Sequence, residues 1–250
     1  MPAFTDSPEH GLFKKPVYRV SRQASEHPVI LVCEHASSYI PTELNALGLS
    51  DEAAKEHIAW DIGALKLAER LSKALDATLI SAAYSRLLID LNRPLEAPDS
   101  IPPRSEIYDV PGNRELPKSV RRYRQERLFT PFHQRLSALI DERLAAGRDV
   151  RIVAVHSFTP VYHGQPRALE AGVLFADAAN YAEGILQGLA AQGLNVAANQ
   201  PYEVDVLGDM TVPFHGDQRG IDAVLLEVRN DLLRTPHALQ SWADYLAPLL

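Results

Sequence analysis

Short apolar runs that stop abruptly at charged residues alternate along this chain with stretches whose apolar side chains recur every three or four positions. Three of the runs share one plan. Val29-Ile30-Leu31-Val32-Cys33 halts at Glu34-His35, Ile152-Val153-Ala154-Val155 at His156-Ser157, and Ala223-Val224-Leu225-Leu226 at Glu227-Val228-Arg229. Short apolar runs bounded by polar groups predict buried strands. Asp76–Ser81 predicts another, and so do Ala171–Phe175 and Leu194–Ala197. Helical spacing runs over 51–75, with Ile62, Leu65, Leu71 and Leu75 apolar and Glu69–Lys73 as an outward pair, then over 118–146, 178–191 and 236–249. Such alternation predicts an α/β fold, three layers (α/β/α) around a mixed or mostly parallel central sheet.

The polar stretches set the boundaries. Residues 1–28 carry several prolines and predict an N-terminal arm or an irregular edge, leaving 29–250 as a single domain. Residues 94–118 hold six prolines with little periodicity, the pattern of a lid loop over a site. Ser85 to Arg93 reads as a strand whose alternation puts Arg86, Leu88, Asp90 and Asn92 on one face.

Charge and cysteine usage narrow the function. A net charge of −7 without a basic block excludes nucleic acid as the main partner, although a local arginine cluster still suits a small anion. The single cysteine excludes an internal disulfide. The first residues lack the basic and apolar regions of an export signal, and no apolar run reaches membrane-spanning length, so a cytoplasmic location is expected. Oligomeric state is not legible.

In α/β sheets, ligand sites form beyond the carboxyl ends of the strands. Two histidines and two carboxylates delivered there suggest a metal-hydrolase site. Hydrolytic zinc sites use three protein ligands and leave a position for water. His35 and His156 are the candidate pair. The third ligand is Glu34, if the strand has already curled at Cys33, or Asp61, at a helix start in His57-Ile58-Ala59-Trp60-Asp61, where the i,i+4 spacing could put His57 and Asp61 on one helix face. Glu227, in a run that should be buried, is the candidate base, with Arg229 on its face to hold a substrate carboxylate or to pair with it structurally. Arg86, held by Asp90, together with Asn92 and Arg93 suits carboxylate binding. The stretch Thr211–Gly220, with His215 and Gln218 between glycines, reads as a substrate loop. Cys33 paired with His156 is an alternative nucleophile, and a non-catalytic domain binding an acidic metabolite is another reading. Neither a serine-hydrolase elbow nor a phosphate-binding glycine loop is present.

Taken in order, Cys33-Glu34-His35-Ala36-Ser37, Asp61-Ile62-Gly63, Ser85-Arg86 through Asp90-Leu91-Asn92-Arg93, Val155-His156-Ser157 and Glu227-Val228-Arg229-Asn230-Asp231-Leu232 resemble the N-formylglutamate amidohydrolase family from about residue 29 to 233. The resemblance implies a phosphorylase/hydrolase-like fold related to zinc carboxypeptidases. It implies hydrolysis of a formyl or other acyl amide on glutamate, as in histidine breakdown, with Zn²⁺ as cofactor and a small N-acyl amino acid as substrate. A related N-acyl amino acid deacylase or a carboxypeptidase-like hydrolase fits the same pattern. Family members with Pro-His-Ser-Gly in place of Glu34-His35-Ala36-Ser37 favour Asp61 over Glu34 as a ligand.

Overall fold

The three apolar runs lie side by side at the centre of one sheet. The computed structural model describes residues 7–205 and 207–250, so residues 1–6 of the expected arm lie outside the described residues. The strands are β1 (Tyr18–Ser21), β2 (Val29–Cys33), β3 (Thr78–Ala82), β4 (Arg104–Ser105), β5 (Tyr108–Asp109), β6 (Arg151–Phe158), β7 (Val161–Tyr162), β8 (Gln165–Pro166), β9 (Ala171–Leu174), β10 (Val196–Ala198) and β11 (Ala223–Arg229). The helices are α1 (Ala64–Leu75), α2 (Lys118–Arg124), α3 (Thr130–Ala145), α4 (Ala179–Ala191) and α5 (Pro236–Leu246). A 7-stranded sheet has the order β1-β3-β2-β6-β11-β9-β10, and β4–β5 and β7–β8 are separate hairpins. The pairs β3–β2, β2–β6 and β6–β11 are parallel, whereas β1–β3 and β11–β9 are antiparallel, so the sheet is mixed.

Strand alternation divides the core in two. Val29, Leu31, Val153, Val155, Val224 and Leu226 pack against α1, α4 and α5 through Leu67, Leu71, Ile185, Leu239 and Trp242. Ile30, Val32, Ile152, Ala154, Ala223 and Leu225 face the other way, onto Phe132, Leu136 and Ile140 of α3. Each valine, leucine, isoleucine or phenylalanine among them contributes about 1.5–3 kcal/mol when taken from water. The layers are therefore helix, sheet, helix, as the pattern predicted.

Two local expectations fail. The 51–75 stretch is not one helix: a 3₁₀ turn spans Ala53–Lys55 and α1 begins only at Ala64. Gly63 breaks it, with φ +89° and room for no side chain, since a Cβ there would lie 2.5 Å from Leu233 Cβ. Residues 85–93 form turns instead of a strand, because buried side chains capture their carbonyls. Asn113 Nδ2 donates to the Leu87 carbonyl (2.7 Å) and Arg124 Nη1 to that of Leu88 (3.0 Å). Residues 94–118, the expected lid loop, form turns and the β4–β5 hairpin. Within the N-terminal segment, β1 is an edge strand of the sheet, and Glu9 accepts from Arg124 Nη2 at 2.6 Å in a buried ion pair. Among the described residues, no helix is long and apolar enough to cross a membrane.

Candidate active site

Register brings the polar strand ends together. Glu227 of β11 lies opposite His156 of β6, and Val32 of β2 lies opposite Ala154, which places Glu34 beside His156. Glu34, His156 and Glu227 thus form a row across three parallel strands, on the face that carries Ile30, Ala154 and Leu225. His35 has already left the strand. Its carbonyl accepts from the Asp61 backbone at 2.9 Å, which draws Asp61 beside both histidines.

Asp61 Oδ2 is 2.8 Å from His156 Nδ1 and 3.4 Å from His35 Nδ1, the latter outside hydrogen-bond geometry. The far nitrogens are also held by carboxylates: His156 Nε2 by Glu34 Oε2 (3.1 Å) and His35 Nε2 by Asp90 Oδ1 (2.8 Å). Thr211 Oγ1 donates to Glu34 Oε1, and the Thr211 backbone donates to Asn92 Oδ1 at 2.9 Å. Asp90 Oδ2 in turn accepts Nε (2.9 Å) and Nη2 (2.5 Å) of Arg86. Ser157 closes the cluster, its backbone donating to Asp61 Oδ2 at 3.2 Å.

The charges follow from this packing. Burial opposes ionisation of Glu34, but His156 and the Thr211 bond outweigh it and hold its pKa at about 2. Burial likewise opposes Asp61, yet His35 and His156 keep it below the ordinary carboxylate range. Burial and Arg86 push His35 down, but Asp90 and Asp61 win and leave it above its usual value; Glu34 and Asp61 raise His156 well above its own, against burial. Glu227 is the exception. Burial, reinforced by Asp61, lifts it to about 7, and its Oε2 is buried without a hydrogen-bond partner among the described residues.

His35, Asp61 and His156 each offer a ligand atom within 4.8 Å of the others, so the three could hold a metal ion. The donor set fits one. His35 Nδ1 is a buried nitrogen without a hydrogen bond, both outer nitrogens rest on carboxylates, and such backing is typical of metal-bound histidines. A divalent cation would replace the protons that the acidic surroundings otherwise draw onto the imidazoles. These residues, Glu227 and Arg86 border a cavity of about 320 Å³. Arg104, Ser105 and Glu106 of the 94–118 segment, Tyr162, Tyr202 and Glu203 also line it.

Other predicted residues lie elsewhere. Glu34 is behind His156 and does not border the cavity, so Asp61 is the carboxylate that converges with the histidines. Asn92 and Arg93 border the cavity, but Arg93 is bound to Asp209 and to Asp99 (2.9 Å). Arg229 does not reach it, because its guanidinium binds Asp231 (2.8 Å) and the carbonyls of Arg167 (3.0 Å) and Ala168 (3.2 Å). His215 is buried against His133 Nδ1 at 2.8 Å, and Gln218 sits exposed in a 3₁₀ turn, so neither faces the cavity. Cys33 packs with Val29 and Leu31 on the opposite side of the sheet from His156, and burial together with Glu34 raises its thiol pKa well above normal, which removes it as a nucleophile. His57 does not share a helix face with Asp61; its Nε2 is 2.8 Å from Glu106 Oε2. Sequence reasoning missed Tyr202, Glu203 and Asp209, which no periodic pattern marks.

Residues 27–234 match the family model described as N-formylglutamate amidohydrolase. The chain is similar to the gene product Atu2144 from Agrobacterium tumefaciens, with 41% identity over 94% of this chain and 93% of that one, TM-score 0.89. It also shares its fold with the N-formylglutamate amidohydrolase from Ralstonia eutropha JMP134, at 17% identity over 93% and 95% of the two chains, TM-score 0.67. No curated protein matches the chain.

Proposed function

The chain belongs to the N-formylglutamate amidohydrolase family and is an amide hydrolase; on that premise we propose that it is a zinc-dependent enzyme cleaving the amide of N-acyl amino acids. N-formyl-L-glutamate, the compound in the family's name, is the reference substrate, and histidine breakdown in the cytoplasm would be its setting. The observation that carries the reading is the convergence of His35 Nδ1, Asp61 Oδ2 and His156 Nδ1 beside a buried carboxylate, Glu227, whose Oε2 has no hydrogen-bond partner among the described residues.

His35, Asp61 and His156 would hold the ion, with Asp90 and Glu34 orienting the two imidazoles. Bound there, zinc supplies Lewis acidity and brings the pKa of a water down to about 7. The Glu227 carboxylate takes a proton from the attacking water and delivers it to the amine nitrogen as the carbon–nitrogen bond breaks. A base whose pKa is lifted to about 7 is suited to both transfers. Arg86 Nη1 faces Asp61 Oδ1 at 3.6 Å, and the guanidinium, fixed by Asp90 and bordering the cavity, receives the substrate carboxylate.

Elemental analysis and acid release from N-formyl and N-acetyl amino acids test this together. About one zinc per chain is expected, and Glu227→Gln should keep the metal while lowering kcat by about 10²–10⁴. Full activity in a metal-free preparation, or no turnover of any N-acyl amino acid by the zinc-loaded protein, would overturn the proposal.

A further inference from the structure

The carboxylates behind the two histidines belong to one connected network, and Thr211 stands at its joint. Asp90 Oδ1 backs His35 Nε2 (2.8 Å) and also accepts the Asn92 backbone N–H (2.9 Å). The Asn92 side-chain oxygen in turn accepts the backbone N–H groups of Thr211 (2.9 Å) and Met210 (3.2 Å), while its Nδ2 donates to Asp209 Oδ1 (3.3 Å). Two backbone donors on one amide oxygen fix which way that amide points. Thr211 Oγ1 then donates to Glu34 Oε1, and Glu34 Oε2 backs His156 Nε2 at 3.1 Å. From His35 to His156 the path runs through Asp90, Asn92, Thr211 and Glu34 without a break.

Burial and hydroxyl chemistry both suit Thr211 to this place. It opens the turn at Thr211–Gly216, is fully buried and does not border the cavity, so a substrate held there does not touch it. Glu34 is buried just beyond the end of β2, and Thr211 is the one side-chain donor to its Oε1 among the described residues. A carboxylate gripped at each oxygen by a different partner cannot turn without breaking a bond, whereas one gripped at a single oxygen can swing about that contact. Leaving a buried carboxylate oxygen without a donor is also unfavourable. The plane of Glu34 sets the orientation of the imidazole that rests on it, and with it the direction in which His156 Nδ1 faces Asp61 and His35.

On the premise of a zinc-dependent hydrolase, we propose that Thr211 is a positioning residue for the metal. Its hydroxyl fixes the Glu34 carboxylate that orients His156. Its backbone ties that arm, by way of Asn92, to the Asp90 carboxylate behind His35.

The test is the zinc dissociation constant, measured by competition with a chromogenic chelator, in the parent protein and in Thr211→Val, Thr211→Ala and Thr211→Ser. Removing the hydroxyl, by Thr211→Val with its shape kept or by Thr211→Ala, should weaken zinc binding about tenfold. Thr211→Ser keeps the donor and should stay within about twofold of the parent. Urea unfolding of the metal-free variants reads stability separately, since lost stability alone leaves the affinity of the folded protein in place. In Glu34→Ala, where the acceptor is gone, adding Thr211→Val should change the affinity by less than about twofold. Parent-like affinity in whichever of Thr211→Val and Thr211→Ala folds, equal weakening in Thr211→Ser, or an undiminished effect in the Glu34→Ala background would overturn this inference while sparing the zinc-hydrolase reading. A parent protein that binds no zinc would overturn both.

Discussion

Two pairs of histidines are buried in this molecule, and their surroundings are opposite in kind. His35 and His156 meet edge to face with centroids 4.7 Å apart, and carboxylates from Glu34, Asp61 and Asp90 ring them. His133 and His215 stack with centroids 5.1 Å apart and planes 8° from parallel. His133 Nε2 donates to the Leu91 carbonyl at 2.8 Å, so its Nδ1 must accept from His215 Nε2, and each ring is neutral. Burial holds His133 at about 4 and, with His133 and Arg219 adding to it, His215 at about 3. Residue type and depth are the same in both pairs. Partner chemistry makes the first a place for positive charge and the second a neutral clasp joining α3 to the turn at Thr211–Gly216.

The comparison can be broken at several points. The largest effect is expected from removing a nitrogen at the acidic pair: His156→Ala should lose zinc and lower kcat/KM by about 10³ or more. His133→Gln should leave the zinc content of purified protein unchanged; loss of metal there would erase the distinction between the pairs.

Next in size is the pH effect on stability contributed by the neutral pair. A histidine whose folded pKa is depressed favours the unfolded chain as soon as that chain begins to bind protons. The contribution is therefore complete above the unfolded value of 6.5 and is lost as pH falls toward about 4. For His133 the loss is on the order of 3 kcal/mol. Glu227, lifted to about 7, acts in the opposite direction over the same range, so the readout is a difference. In urea unfolding at a series of pH values, the parent protein should lose stability relative to His133→Gln as pH falls from 6.5 toward about 4. Equal slopes would mean that the pair is not held neutral.

The smallest of the three concerns the carboxylate behind His156. Glu34→Gln retains a hydrogen-bonding shape but removes the charge, and it should weaken zinc binding by about 10–100-fold in competition with a chelator. An unchanged affinity would reduce Glu34 to packing.

How much of this was legible depends on the kind of signal. The runs ending at Glu34, His156 and Glu227 were readable because a strand buried on both faces must be apolar throughout, so a charge at its end stands out. The Asp61 position was ambiguous for a physical reason. Helical spacing linked it to His57, but Gly63 ends that possibility, and Asp61 reaches His35 through a backbone hydrogen bond that no periodicity encodes. The segment from Arg86 to Asn92 alternates like a strand, yet Asn113 and Arg124, from distant parts of the chain, take the carbonyls it would need for one. Arg229 and Arg86 look equally suitable as substrate ligands in sequence. Carbonyls at residues 167 and 168 capture the first, while Asp90 aims the second at the cavity.

Local sequence by itself determined the central strands and the family, since apolar periodicity and ordered motifs act over a few residues at a time. Tertiary structure alone decided which buried histidine pair is acidic, which carboxylate joins it and which arginine remains open to a substrate. Those outcomes depend on partners far apart in the chain, and charge in a buried site is set by whatever lies within a few ångströms, whatever its position in sequence.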